Sequence, residues 1–135
     1  MGLFKEIEKM SVIHYRFSPE WGSIQALKNC TKLNHLNLVG RELNDSSIEG
    51  IYDALLGLLS LSITYASTKV GDQTLKNLVN LKELNNLYFN SQSLSLKHLE
   101  EYVNHSTKLK NLPIENKFIS KNIIKLFEYL LNLFY

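Results

Sequence analysis

Apolar residues recur along this chain at a repeated spacing. Leu33-x-x-Leu36-x-Leu38 returns as Leu58-x-x-Leu61-x-Ile63, Leu84-x-x-Leu87-x-Phe89 and Leu109-x-x-Leu112-x-Ile114, the numbering of the first column rising by 25, then 26, then 25. A second block follows each of these: Leu43-x-Asp45-x-x-Ile48-x-x-Ile51, Val70-x-Asp72-x-x-Leu75-x-x-Leu78, Leu94-x-Leu96-x-x-Leu99-x-x-Tyr102 and Ile119-x-Lys121-x-x-Ile124-x-x-Phe127. Apolar columns that stay in phase over four units are more than leucine abundance alone produces. The amino end joins the register when its numbering is shifted by 23, which sets Phe4, Ile7, Met10, Ile13 and Tyr15 on Leu27, Cys30, Leu33, Leu36 and Leu38. At the other end Phe134 falls one further step beyond Leu109 and opens another unit.

Each half of the unit has its own period. The two-residue spacing of Leu36-x-Leu38 predicts a short strand with one buried face, followed by a loop. Spacings of three and four, as in Asp45-x-x-Ile48-x-x-Ile51-x-x-x-Leu55, predict a helix with one apolar stripe. Asp45 and Asp72 stand at the position of a helix N-cap, where a carboxylate accepts from the first unpaired amides. Capping explains both residues better than a functional carboxylate pair. Leu96 and Lys121 hold the matching place later in the chain, so Ser95 and Ser120 are the caps expected there. Residues 1–135 read as a single domain, with partial or capping units over 1–20 and 120–135.

Composition narrows the function classes. Of 135 residues, 44% are hydrophobic and 21% charged, a profile suited to a globular core. There are 25 leucines and 14 asparagines, which fits an apolar lattice separated by polar turns. One cysteine excludes a disulfide framework and a Cys-based zinc site. The start, Met1-Gly2-Leu3-Phe4-Lys5-Glu6, lacks the basic and apolar regions of a secretory signal. The most apolar run, Leu126 to Tyr135, is too short for a membrane span and carries Glu128 and Asn132. A cytoplasmic location without membrane insertion is the expectation.

Leu27-x-x-Cys30-x-x-Leu33-x-x-Leu36-x-Leu38, followed by Leu43-x-Asp45-x-x-Ile48-x-x-Ile51, resembles the cysteine-containing subtype of leucine-rich repeat, best known from the substrate-binding halves of F-box ubiquitin-ligase receptors. The resemblance covers nearly the whole chain. It implies an α/β fold, a right-handed leucine-rich-repeat solenoid with a parallel concave sheet of about five short strands and helices on the convex side. The cysteine column reads Ile7, Cys30, Leu55, Leu81 and Ser106, so one unit alone carries the name-giving residue. The chain has no room for an F-box, and substrate recognition for ubiquitination is implied only alongside a partner that carries one. The apolar ends, with Leu3, Phe4 and Ile7 at one and Phe127, Leu130, Leu131 and Phe134 at the other, leave three readings open: an imperfectly capped solenoid, a piece of a longer array, or a homo-oligomer.

If the strands line a concave face, the residues between the lattice leucines form columns on it. The first is His35, Ser60, Asn86 and Asn111; the second His14, Asn37, Ser62, Tyr88 and Pro113; the third Arg16, Val39, Thr64, Asn90 and Glu115. Hydrogen-bonding side chains with a tyrosine among them suit a protein or peptide partner. The candidate contacts are His14, Arg16, His35, Asn37, Ser62, Thr64, Asn86, Tyr88, Asn90 and Glu115. Small polar residues that merely keep an exposed sheet hydrated are the competing explanation. His14 and His35 lack a third neighbouring ligand, so no metal or other cofactor is expected. Cys30 lies in an apolar column, and no P-loop, nucleophile-elbow or H-E-x-x-H motif occurs, so no enzyme activity is expected. The 15 basic residues form no stripe, which argues against nucleic acid. The longer loop Thr64-Tyr65-Ala66-Ser67-Thr68-Lys69 is an insertion, which in solenoids maps to one rim and is often used for binding, although tolerated surface length variation is the commoner explanation. A protein-binding module is the leading expectation, with a structural or self-associating segment as the alternative and a GTPase-regulating repeat protein third.

Overall fold

In the computed structural model, which describes residues 2–13, 27–40, 45–48, 55–64, 71–90, 95–112 and 114–115, the alternating segments are strands. They are β1 (Lys9–Ile13), β2 (His35–Val39), β3 (Ser60–Thr64), β4 (Asn86–Asn90) and β5 (Ile114–Glu115), preceded by a 3-10 helix over Gly2–Glu6. The five strands form one sheet in chain order, with every pair parallel. Helices α1 (Asp45–Ile48), α2 (Asp72–Leu78) and α3 (Leu96–His105) lie in the crossovers between β2 and β3, β3 and β4, and β4 and β5. The fold is α/β with a parallel sheet. No helix among the described residues is long and apolar enough to cross a membrane.

The period-two pattern decides which side of the sheet is packed. Leu36, Leu38, Leu61, Ile63 and Leu87 are buried, while His35, Asn37, Ser60, Ser62, Asn86 and Tyr88 between them are half-buried. Ahead of each strand the apolar spacing becomes three, and the backbone turns with it. Amides of Cys30, Leu33, Leu58, Leu81, Leu84 and Leu109 donate to the carbonyl three residues back, at 2.9 to 3.2 Å. Turns of that pitch bring every third side chain to one side. Leu27, Cys30 and Leu33 are accordingly in the core, as are Leu55 and Leu58, and Leu78, Leu81 and Leu84. From the helices come Ile48, Leu75, Leu99, Tyr102 and Val103. Cys30 is a buried packing residue.

At the amino end the register differs from the sequence expectation. Lys9 pairs with His35, Met10 with Leu36, Ser11 with Asn37, Val12 with Leu38 and Ile13 with Val39, an offset of 26 in place of 23. The cause is visible in the residues. Phe4, Ile7, Met10 and Ile13 recur every third position, so a slip of three residues exchanges Met10-x-x-Ile13-x-Tyr15 for Ile7-x-x-Met10-x-Val12 and keeps the same signature. An odd slip turns strand residues to the opposite face. Ile13, expected in the core, is 66% exposed, and Met10 and Val12 pack against the core instead. The offset of 26 also matches those of the neighbouring strand pairs, which are 25, 26 and 25.

At the far end β5 is two residues long, and pairing resumes before it only as a bridge between Asn86 and Asn111. Pro113 lies between these pairings and has no amide hydrogen to give a ladder. The expected helix from Ile119, the Ser120 cap and most of the Thr64–Lys69 loop lie outside the described residues.

Two truncations separate the registers. Leu38→Ala, at a fully buried position, is expected to cost about 2–5 kcal/mol in urea unfolding. Ile13→Ala is expected to stay within about 0.5 kcal/mol of wild type, since exposed sites carry little packing. A loss at Ile13 comparable to that at Leu38 would restore the offset of 23.

Candidate functional site

The half-buried face of the sheet is where the strands bring polar side chains together. Lys9, His35, Ser60 and Asn86 form one paired row, which Asn111 extends through its bridge. Ser11, Asn37, Ser62 and Tyr88 form the next. Ile13, Val39 and Thr64 form the third, and Asn90 pairs with Glu115. Hydrogen bonds run along these rows. Asn37 Nδ2 donates to Ser11 Oγ at 3.1 Å, and Asn111 Nδ2 donates to Asn86 Oδ1 at 2.5 Å, while Asn86 Nδ2 donates to Asn85 Oδ1 at 2.5 Å. His35 Nδ1 meets Asn34 Oδ1 at 2.5 Å. An amide oxygen only accepts, so His35 Nδ1 is the donor in this contact. Asn37 Oδ1 is buried without a partner.

Of the sequence candidates, His35, Asn37, Ser62, Thr64, Asn86 and Tyr88 lie together on this face. Asn90 and Glu115 are in the paired strands β4 and β5. His14 and Arg16 lie outside the described residues, and the offset of 26 gives the places assigned to them to Ser11 and Ile13. Lys9, which stands beside His35, was missed because the offset of 23 left it off the face.

A second polar cluster joins the helix starts. Asp45 and Asp72 were expected to cap their own helices; each is the first residue of its helix and reaches the start of the next one. Asp45 Oδ1 accepts from the Gly71 amide at 3.2 Å, from the Thr74 amide at 3.1 Å and from the buried Thr74 hydroxyl. Asp72 Oδ1 accepts from the Ser95 amide at 2.9 Å and from Ser95 Oγ at 3.3 Å. Ser95 is the N-cap of α3, as expected, with its side chain accepting from the His98 amide.

Ser95, His98 and Asp72 thus meet, three residue types that also compose a hydrolytic triad. Their geometry excludes that chemistry: Ser95 Oγ lies 2.5 Å and Asp72 Oδ2 3.0 Å from the same nitrogen, His98 Nδ1. Proton transfer in a triad requires the serine and the carboxylate on opposite ring nitrogens. The cluster is a helix cap: Ser95 Oγ accepts from the His98 amide, and Asp72 takes the Ser95 amide.

Between α2 and α3 lies a cavity of about 200 Å³, floored by Leu75, Val79 and Tyr102 and rimmed by His98, Glu101 and His105. Burial pushes the Tyr102 phenol from the ordinary 10.0 up to about 12. Ser106 acts the other way and is the smaller influence, and its side chain falls short of hydrogen-bond geometry with the Tyr102 hydroxyl. No protein-family model, curated protein or solved structure matches this chain.

Removing Asp45 leaves the Thr74 hydroxyl buried and unpaired, so Asp45→Ala is expected to cost about 1–3 kcal/mol in denaturant unfolding. Amide hydrogen exchange at Gly71 and Thr74 is expected to accelerate more than at α3, whose cap is separate. The raised Tyr102 value means that the folded chain holds this proton more tightly than the unfolded one. Its contribution is complete below pH 10.0 and is lost as pH rises toward about 12. Unfolding free energies from pH 9 to 12 for wild type and Tyr102→Phe measure it, with the wild type expected to lose up to about 3 kcal/mol more over that window.

Proposed function

We propose that this chain is a leucine-rich-repeat solenoid of the cysteine-containing type that binds a protein or peptide on the concave, polar face of its sheet. The observation that carries the reading is the row structure of that face: parallel strands in chain order that place His35, Asn37, Ser62, Asn86 and Tyr88 side by side. The repeat signature supports the solenoid, and the neighbour-to-neighbour pairing of every strand fits it. A partner meets mostly uncharged donors and acceptors held by the sheet, with Lys9 at one edge and an aromatic ring at Tyr88. That combination gives directional hydrogen bonding at small desolvation cost around an aromatic anchor. Among binding roles, the resemblance to F-box receptors favours recognition of substrates for ubiquitination beside a partner that carries the F-box.

The test compares wild type with Tyr88→Ala, Asn37→Ala on one face and with Lys76→Glu on α2 as a control, each checked for folding by circular dichroism. Binding partners captured by the wild type are expected to be lost or weakened about tenfold or more by the sheet-face pair and retained by Lys76→Glu. Partners that survive the sheet-face pair at unchanged strength exclude this surface.

A further inference from the structure

The polar face changes in chemistry along its first two strands. There β1 and β2 turn six side chains to it, paired Lys9 with His35, Ser11 with Asn37 and Ile13 with Val39. From β1 to β3, Lys9 is the one residue of the face with a fixed charge. It is exposed, and its side chain makes no ion pair or hydrogen bond among the described residues. The two acids nearest to it in the chain serve another cation. Glu6 bonds Lys32 at 2.6 Å in the turn, where its hydrogen bond and its charge raise the Lys32 pKa and the charge of Glu8 adds to the effect. His35 stands beside Lys9 with its Nδ1 held by Asn34 Oδ1, which fixes the ring and leaves Nε2 unbonded among the described residues.

At the far end of the same two strands the face is apolar. Ile13 is 66% exposed, with half-buried Val39 beside it. At about 3.3 Å of rise per residue, this pair lies about 13 Å from Lys9 and His35. Between them are Ser11 and Asn37, joined by a hydrogen bond of 3.1 Å. A carboxylate at the first pair takes a charge-assisted bond from the Lys9 ammonium, and a second from His35 Nε2 once the ring carries both protons. An aliphatic or aromatic group at the second pair covers apolar surface otherwise left to water. The polar middle decides what joins the two. An alkyl chain laid over Ser11 and Asn37 would strip their hydration without return, whereas a peptide backbone supplies N–H and C=O groups to both. An extended peptide rises at the same rate as the strands beneath it, so side chains about four residues apart reach the two pairs.

We propose that the partner lays an extended segment along β1 and β2, with an acidic side chain at Lys9 and His35 and an apolar side chain about four residues away at Ile13 and Val39. This rests on the sheet face being the protein-binding surface, and adds the groups that the partner brings to it. Selectivity for the acid comes from one placed cation, since a net charge of +2 is too small to steer an acidic partner by itself.

Random dodecapeptides displayed on phage and selected on the immobilised full chain test this, with wild type, Lys9→Glu, Ile13→Asn and the Tyr88→Ala, Asn37→Ala pair as targets. Wild type is expected to enrich Asp or Glu about four positions from an aliphatic or aromatic residue. Lys9→Glu is expected to exchange the acid for Lys or Arg and keep the apolar position. Ile13→Asn is expected to lose the apolar preference and keep the acid. A fluorescein-labelled peptide of the wild-type consensus is expected to bind Lys9→Glu about tenfold or more weakly, and to lose affinity as salt screens the charges. Circular dichroism checks that each variant folds; where Lys9→Glu does not, Lys9→Gln reads the same contact by losing the preference for an acid. Suppose the enriched peptides need Tyr88 and Asn37 but carry no acid, keep the same acid on Lys9→Glu, or keep the same apolar residue on Ile13→Asn. Each of these results overturns the proposal and leaves the sheet-face reading standing. No enrichment over the bare support, or peptides that bind the double variant and Lys9→Glu as they bind wild type, overturns both.

Discussion

Within a unit the turns close on themselves, but among the described residues the polar bonds that fix one unit against the rest are made to its neighbour. The carbonyls of Glu8, Asn34, Leu59 and Asn85 each take two amides from the unit that follows. Asp45 and Asp72 satisfy the start of the next helix, not their own. The apolar residues obey the same constraint, since a strand of five residues and a short helix cannot bury their leucines without a second layer beside them. Adjacent strands and helix starts therefore stabilise one another, and the loss of one such contact weakens both neighbours.

That constraint explains which features were legible in the residues and which were not. The strand positions at Leu36, Leu61 and Leu87, the buried state of Cys30 and the Ser95 cap follow from spacing alone, because each is a property of one unit or of its exact repetition. The frame of β1 was not recoverable that way. Its apolar residues repeat every third position, so two registers three residues apart satisfy the same pattern, and only pairing with β2 distinguishes them. The aspartate caps were half legible. Their residue type and place were right for capping, but the amides they serve belong to the following unit, a relation that no local window of sequence contains.

The candidate site inherits this mixture. Rows through His35, Asn37, Ser62, Asn86 and Tyr88 were legible because alternation within a strand and a constant offset between strands suffice to build them. The places assigned to His14 and Arg16 were not, because they depended on the frame of β1. The Asp72, Ser95 and His98 cluster was invisible to motif reading, its members being drawn from two helices. Its local signal was the serine just ahead of the helix, which reads as an N-cap, while the aspartate that takes the Ser95 amide comes from the helix before.

The polar face is already bonded along its rows, which shapes what a ligand can gain there. The Asn111, Asn86 and Asn85 side chains hand one hydrogen bond to the next, and Asn37 is held by Ser11. Each carboxamide has two donors and an oxygen that accepts twice, so one bond to a neighbour fixes its orientation and still leaves capacity for a partner. Side chains oriented before binding lose little rotamer freedom on contact, and neutral groups surrender less hydration than charged ones. In the binding role proposed for it, this face would draw its selectivity from the direction of its donors and acceptors. Net charge contributes little to it, consistent with a chain whose formal charge is +2 and whose charged pairs, Lys32 with Glu6 and Lys108 with Glu83, lie in the turns between units.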